Sequence, residues 1–133
     1  MAPDIIFVDT SNKSINTNSF RGKTLFIDFW SSWCVSCREQ FPQLKQTYAK
    51  YNSKGLEIIG VSMDSKKKSW VCALQKDSLP WRQFCELLDF QENSLAKRFK
   101  IMGIPTNFLI DKNGLLIGQD ISPDELEALI SKL

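Results

Sequence analysis

The chain has 133 residues, 43% apolar and 24% charged, with 17 Lys and Arg against 15 Asp and Glu for a net charge of +2. That length and balance fit one globular domain, taken as residues 1–133, and so small a charge gives no grounds for a nucleic-acid or acidic-membrane partner. There is no histidine, which excludes Ser-His-Asp and Cys-His catalysis and any histidine-ligated metal, and no apolar run approaches the roughly eighteen residues of a membrane span.

Met1-Ala2-Pro3-Asp4 leads straight into Ile5-Ile6-Phe7-Val8, which reads as a short strand. No basic segment or small-residue cleavage site precedes it, so this start fits either a cytosolic protein or a chain whose export segment lies elsewhere. Residues 9–18 read as a polar turn region, and 19–23 as a turn into a central strand. Leu25 to Phe29 is nearly all apolar, as in a strand buried on both faces; Asp28 is the exception. From Val35 the apolar spacing becomes helical through Phe41, Leu44, Tyr48 and Tyr51. This predicts one helix over 35–52, kinked at Pro42, with Gly55 near its exit.

Residues 56–62 predict a second buried strand. A helix beginning at Lys66-Lys67-Lys68 follows, its lysines read as a solvated face, and Pro80 ends that unit. Residues 81–88 suggest an irregular strand and 94–100 a short helix. Residues 106–111, the turn Lys112-Asn113-Gly114 and residues 115–118 give a strand, turn, strand signal, since Asn-Gly favours the positive φ angles of a tight hairpin. Ser122 is a good N-cap, Pro123 fits the first helical position and Glu125 completes a capping box, so a last helix runs over 123–132. Strand and helix alternate as in an α/β fold with a central, mostly parallel sheet.

The chemistry gathers where the central strand meets the first helix. Cys34 falls near the N-cap and Cys37 one turn in. Free amide groups and the helix dipole favour an anion there. A cysteine so placed falls from a pKa of about 8.5 into the range of roughly 3.5 to 7.5. Cys34 would attack a substrate disulfide and Cys37 would resolve the mixed disulfide. Burial should raise the pKa of Asp28, making it a candidate proton acceptor for Cys37, with a satisfied structural carboxylate as the alternative. Trp33 precedes Cys34 and stands where it would shield the sulfur. A pair at this spacing is also half a zinc site or a structural disulfide. Zinc takes four ligands, however, and so short a loop constrains the unfolded chain little. No metal and no cofactor are expected.

Asp28, Phe29, Trp30, Trp33, Cys34, Cys37 and Pro42 together resemble the thioredoxin active-site block. The resemblance implies a thioredoxin fold, a central mixed sheet flanked by helices, and runs over essentially the whole chain. It implies that Pro105, in Gly103-Ile104-Pro105-Thr106, is the cis proline facing the cysteines, and that Ile104 offers backbone groups to substrate; an ordinary trans proline at a strand start is the alternative. Gly60-Val61-Ser62-Met63-Asp64, Trp70 and Leu79-Pro80-Trp81 fill a redoxin-type insertion and look like the TlpA/ResA branch. Members of that branch reduce disulfides in partner proteins and are often exported or membrane-anchored. The implied partners are disulfide-containing proteins and an upstream thiol reductant, the implied location a bacterial periplasm with the cytoplasm as alternative, and the expected state a monomer. Val35-Ser36 replaces the Gly-Pro of ordinary thioredoxin, so redox direction does not transfer. Two rival readings are a thiol peroxidase and a redox-inactive thioredoxin-fold interaction module. Against the first, Ile27 and Ser31 stand where peroxiredoxins carry a proline and a threonine ahead of the reactive cysteine. Cys72 and Cys85 fall outside the motif. Topology sends both toward the active-site edge, either as a second disulfide or as two free thiols buried as small hydrophobes.

Overall fold

The computed structural model describes residues 6–8, 14–88 and 94–132. Strand β1 (Ile6–Val8) pairs antiparallel with β2 (Ser14–Asn16) in a separate two-stranded ribbon. The polar turn expected over 9–18 thus contains a strand. Three residues carry too little alternation to announce one, and β2 is a strand because β1 lies beside it. Position 5 and positions 9–13 lie outside the described residues. Asn16 then caps a 3₁₀ turn (Thr17–Phe20), its Oδ1 accepting the Asn18 N–H at 2.9 Å.

Strand β3 (Thr24–Trp30) is buried along almost its whole length. The single kinked helix expected over 35–52 is two helices, α1 (Val35–Glu39) and α2 (Phe41–Tyr51). The break falls at Gln40, whose N–H returns to the Cys37 carbonyl at 3.3 Å. Pro42 has no N–H to give and sits in the first turn of α2, where none is required. Gly55, at φ 102°, turns the chain into β4 (Leu56–Ser62). Helix α3 (Lys67–Asp77) crosses to β5 (Arg82–Cys85), to which the irregular strand expected over 81–88 contracts. Helix α4 (Ser94–Arg98) precedes the β6 (Thr106–Ile110) and β7 (Leu116–Gln119) hairpin, and α5 (Pro123–Ile130) closes the described chain. The capping box forms: Ser122 Oγ accepts the Glu125 N–H at 3.1 Å and Glu125 Oε1 accepts the Ser122 N–H at 3.4 Å.

The main sheet has the order β5-β4-β3-β6-β7. Strands β3, β4 and β5 are parallel, and the β6–β7 hairpin returns antiparallel, so the expected mixed sheet has its parallel part on one side only. Alternation along β3 separates two cores. Leu25, Ile27 and Phe29 join Ile59, Val61, Phe84 and Phe108 on one face. Phe26 and Trp30 join Cys34, Cys37, Phe41, Trp70 and Trp81 on the other. Asp28, between Phe26 and Trp30 by the same period, belongs to the face that carries the cysteines.

Candidate redox-active site

The cysteines lie where β3 leaves the sheet and α1 begins. Cys34 is the N-cap, with extended backbone (φ −92°, ψ 98°), and its Sγ accepts the Cys37 N–H at 3.2 Å. Its own N–H closes a turn onto the Ser31 carbonyl at 3.2 Å. The two sulfurs are joined in a disulfide with Cα atoms 5.3 Å apart. Cys34 is 6% exposed and Cys37 only 1%, so Cys34 is the outer sulfur and the one an incoming group meets first. Ser36 Oγ stands 3.6 Å from Cys34 Sγ. Trp33 and Val35 flank Cys34 in sequence and are largely exposed, Trp33 at 63%.

Asp28 is buried, and desolvation pushes its carboxyl up to about 8. It belongs to a row running across the sheet in register, Asn107–Asp28–Gly60–Gln83. Gly60 has no side chain, and the carboxamide of Gln83 lies over it; a Cβ at Gly60 would stand 2.7 Å from Gln83 Cδ. Trp30 Nε1 donates to Gln83 Oε1 at 3.1 Å. An indole N–H only donates, which fixes the amide oxygen toward Trp30 and leaves Nε2, a buried donor without a hydrogen-bond partner. Asn107 is fully engaged, exchanging bonds of 2.8 and 2.9 Å with the backbone of Ile121. Sequence reasoning missed this polar row. Its one signal was an isolated glycine inside an apolar strand, which marks a close approach.

The Ile104–Pro105 peptide is cis. Ile104 is half-buried and packs against both cores, one of which includes the two cysteines. Met102, two residues earlier, is 95% exposed. Behind the proline a cleft of about 200 Å³ opens among Met102, Pro105, Thr106 and Asp120. Thr106 Oγ1 donates to the Asp120 carboxylate there.

Cys72 and Cys85 are both free thiols, so the second disulfide does not form. Cys85 ends β5 in register with Ser62, at the edge that carries the site, and is buried with its Sγ–H on the Asp64 carbonyl at 3.2 Å. Cys72 departs from the expectation of a buried thiol: it lies within α3 and is exposed, because the inner stripe of that helix is taken by Trp70 and Ala73. Among the described residues no group of three or more His, Cys, Asp and Glu side chains could hold a metal, and no helix is long and apolar enough to cross a membrane.

A strand, a Cys-x-x-Cys turn and a helix, with a cis proline just before β6 on a mixed sheet, define a thioredoxin-type domain. The profile of a family described as thioredoxin-like matches residues 22–116. The thiol-disulfide oxidoreductase ResA of Bacillus thuringiensis subsp. konkukian is 30% identical over 135 aligned positions, covering 99% of this chain and 76% of the relative. The thioredoxin domain of a thiol-disulfide oxidoreductase from Bacteroides vulgatus superposes with a TM-score of 0.87 at 31% identity, over 98% of this chain and 93% of that one. A thiol-disulfide oxidoreductase from Bacteroides fragilis gives 0.88 at 28% identity, over 98% and 97%. The chain belongs to the thioredoxin-like family. Within it, the chain is a ResA-like thiol-disulfide oxidoreductase.

Proposed function

We propose that the protein reduces disulfides in partner proteins through Cys34 and Cys37, with Asp28 as proton acceptor and no bound cofactor. The observation that supports this is the pair itself: an outer sulfur on the Cys37 amide and an inner, buried sulfur one turn on. In the reduced protein the Cys34 thiolate attacks one sulfur of the substrate disulfide. A mixed disulfide forms and the other substrate sulfur leaves as a thiolate. Cys37 then gives its proton to the Asp28 carboxylate and attacks Cys34 Sγ. The second substrate thiol departs and the Cys34–Cys37 disulfide closes, two electrons having passed to the substrate. An upstream dithiol reductant restores the pair by the reverse exchange.

The substrate would lie against Trp33 and along the Ile104–Pro105 loop. Trp33 offers an exposed aromatic surface beside Cys34, and the Ile104 backbone offers a donor and an acceptor to an extended peptide. The protein is proposed to work as a monomer of one domain. Likeness to the TlpA/ResA branch favours a place outside the cytoplasm, in a bacterial periplasm. Cell fractionation tests this, and recovery with the cytosol would reject it.

Reduction of insulin by dithiothreitol tests the chemistry. Cys34→Ser should reduce the rate to the uncatalysed level, and undiminished activity would reject Cys34 as nucleophile. Cys37→Ser should accumulate mixed disulfides with substrate, because the resolving thiol is gone.

A further inference from the structure

The turn that carries Cys34 is fastened from outside by two ionic side chains that meet at Ser32. Asp64 stands just past the end of β4 and is 2% exposed. Its carboxylate accepts the Ser32 N–H at 3.0 Å, the Ser32 Oγ–H at 2.6 Å and the Ser62 Oγ–H at 2.5 Å. Its own N–H donates to Ser62 Oγ at 2.9 Å, and its carbonyl accepts the Cys85 thiol at 3.2 Å. On the opposite side, the Ser32 carbonyl accepts Arg38 Nη1 at 3.1 Å. Arg38 is aimed in turn by Asp77, the last residue of α3, through bonds of 2.8 and 3.1 Å. Both backbone polar groups of Ser32 are therefore held by charged side chains from other elements.

Ser32 lies inside the turn that Cys34 N–H closes on the Ser31 carbonyl. A displaced Ser32 carries Cys34 Sγ away from the Cys37 amide. In the oxidised protein the disulfide also ties Cys34 to Cys37. In the reduced protein that tie is gone, and the fastening of Ser32 remains to keep the sulfur at the helix start. We propose that Asp64 is a positioning residue for disulfide exchange, holding Ser32 so that the reduced Cys34 sulfur stays on the Cys37 amide.

This rests on Cys34 being the nucleophile, so its test reads Cys34 directly, by alkylation of the reduced protein, as well as by turnover. Asp64→Ala removes both Ser32 bonds. Asp64→Asn keeps them through Oδ1, while Nδ2 donates to Ser62 Oγ, and removes only the charge. Loss of a nearby negative charge by itself lowers the pH midpoint of iodoacetamide alkylation at Cys34. Loss of the amide contact raises it. The other titratable or charged groups of the elements around the turn are Asp28 on β3, Cys37, Arg38 and Glu39 on α1, Glu57 on β4, Lys67, Lys68, Cys72, Lys76 and Asp77 on α3, and Arg82 and Cys85 on β5, and all stay the same in both variants.

The expected result is an alkylation midpoint for Asp64→Ala above that for Asp64→Asn. With it should come a loss of about tenfold in kcat for insulin reduction in the alanine variant at similar KM, largely restored in the asparagine variant. Equal midpoints in the two variants would overturn the proposal, whatever the urea midpoint does, because a purely structural role moves stability alone. Should Asp64→Ala not fold, Ser32→Ala removes a single bond of the set and should cost about threefold in kcat with an upward midpoint shift. No shift there would overturn the proposal too. A parent protein without insulin reductase activity would strike the functional reading and leave the alkylation comparison intact.

Discussion

Replacing Asp28 with asparagine should make the protein more stable and slower. In the folded protein burial pushes the carboxyl up to about 8, against the ordinary 3.8 it keeps in the unfolded chain. Between those values the native state keeps a proton that the unfolded state has released. Stability linked to Asp28 is therefore full below about pH 4 and drains away as pH rises toward about 8. Each pH unit in that window costs about 1.4 kcal/mol, so at about pH 7 the ceiling on the loss is about 4 kcal/mol. Asparagine has nothing to ionise. Urea unfolding of the oxidised proteins should give similar midpoints near pH 4 and a gap that opens in favour of Asp28→Asn toward pH 8. Parallel stability profiles for parent and variant across that window would refute the reasoning. The same substitution removes the proposed proton acceptor for Cys37, and the resolving step should slow by about a hundredfold near neutral pH, at the low end for general-base catalysis. A rapid-quench measurement of mixed-disulfide decay reads that step. Decay at the parent rate with an unshifted pH profile would make Asp28 structural.

Two further outcomes follow from packing. Gly60→Ala should cost about 1–2 kcal/mol in urea unfolding, because the new Cβ displaces the Gln83 carboxamide and leaves the buried Trp30 Nε1 without its acceptor; parent-like stability would mean that the amide moves aside freely. In the native protein Cys72 should alkylate readily, while Cys85 should label only on unfolding, since burial pushes its thiol up and its Sγ–H is engaged with Asp64. Mass spectrometry of the labelled peptides checks this, and equal labelling of the two would contradict it.

What could be read from the chain alone depended on how local the cause was. Strand β4 and the capping box of α5 appear where expected because their signals are complete within a few residues: an apolar run, and Ser122 with Glu125. The break at Gln40 was half visible. Pro42 announces a distortion, but whether a helix bends or restarts depends on which carbonyl the preceding amide reaches. Strand β2 depends on a partner strand, and the exposure of Cys72 depends on which stripe of α3 faces the sheet. The polar row and the Ser32 fastening were out of reach for the same reason. Asp28 meets Gly60 and Gln83 only through the register of three strands, and Asp64 meets Ser32 across 32 positions of chain. Sequence singles out Cys34, Cys37 and Asp28 as candidates; the groups packed around them are set by neighbours the chain brings from elsewhere.

The two buried aspartates of this region show why residue type alone does not decide a role. Asp28 and Asp64 are each 2% exposed and lie on adjacent strands or their ends. Asp64 is surrounded by donors: the Ser32 N–H, the Ser32 hydroxyl and the Ser62 hydroxyl all reach its carboxylate, and it fastens the turn before Cys34. Asp28 stands between Phe26 and Trp30 on an apolar face, where desolvation governs it and holds its proton equilibrium close to neutral pH. A base must take a proton readily and give it back, and a carboxyl titrating near 8 does both for a thiol, whereas an ordinary carboxylate is too weak a base. The cost of keeping Asp28 there, up to about 4 kcal/mol near pH 7, is of the same size as the burial of its two aromatic neighbours, at about 1.5–3 kcal/mol each. The strand can therefore carry one costly carboxyl and still hold its place in the sheet, as the role proposed for Asp28 requires.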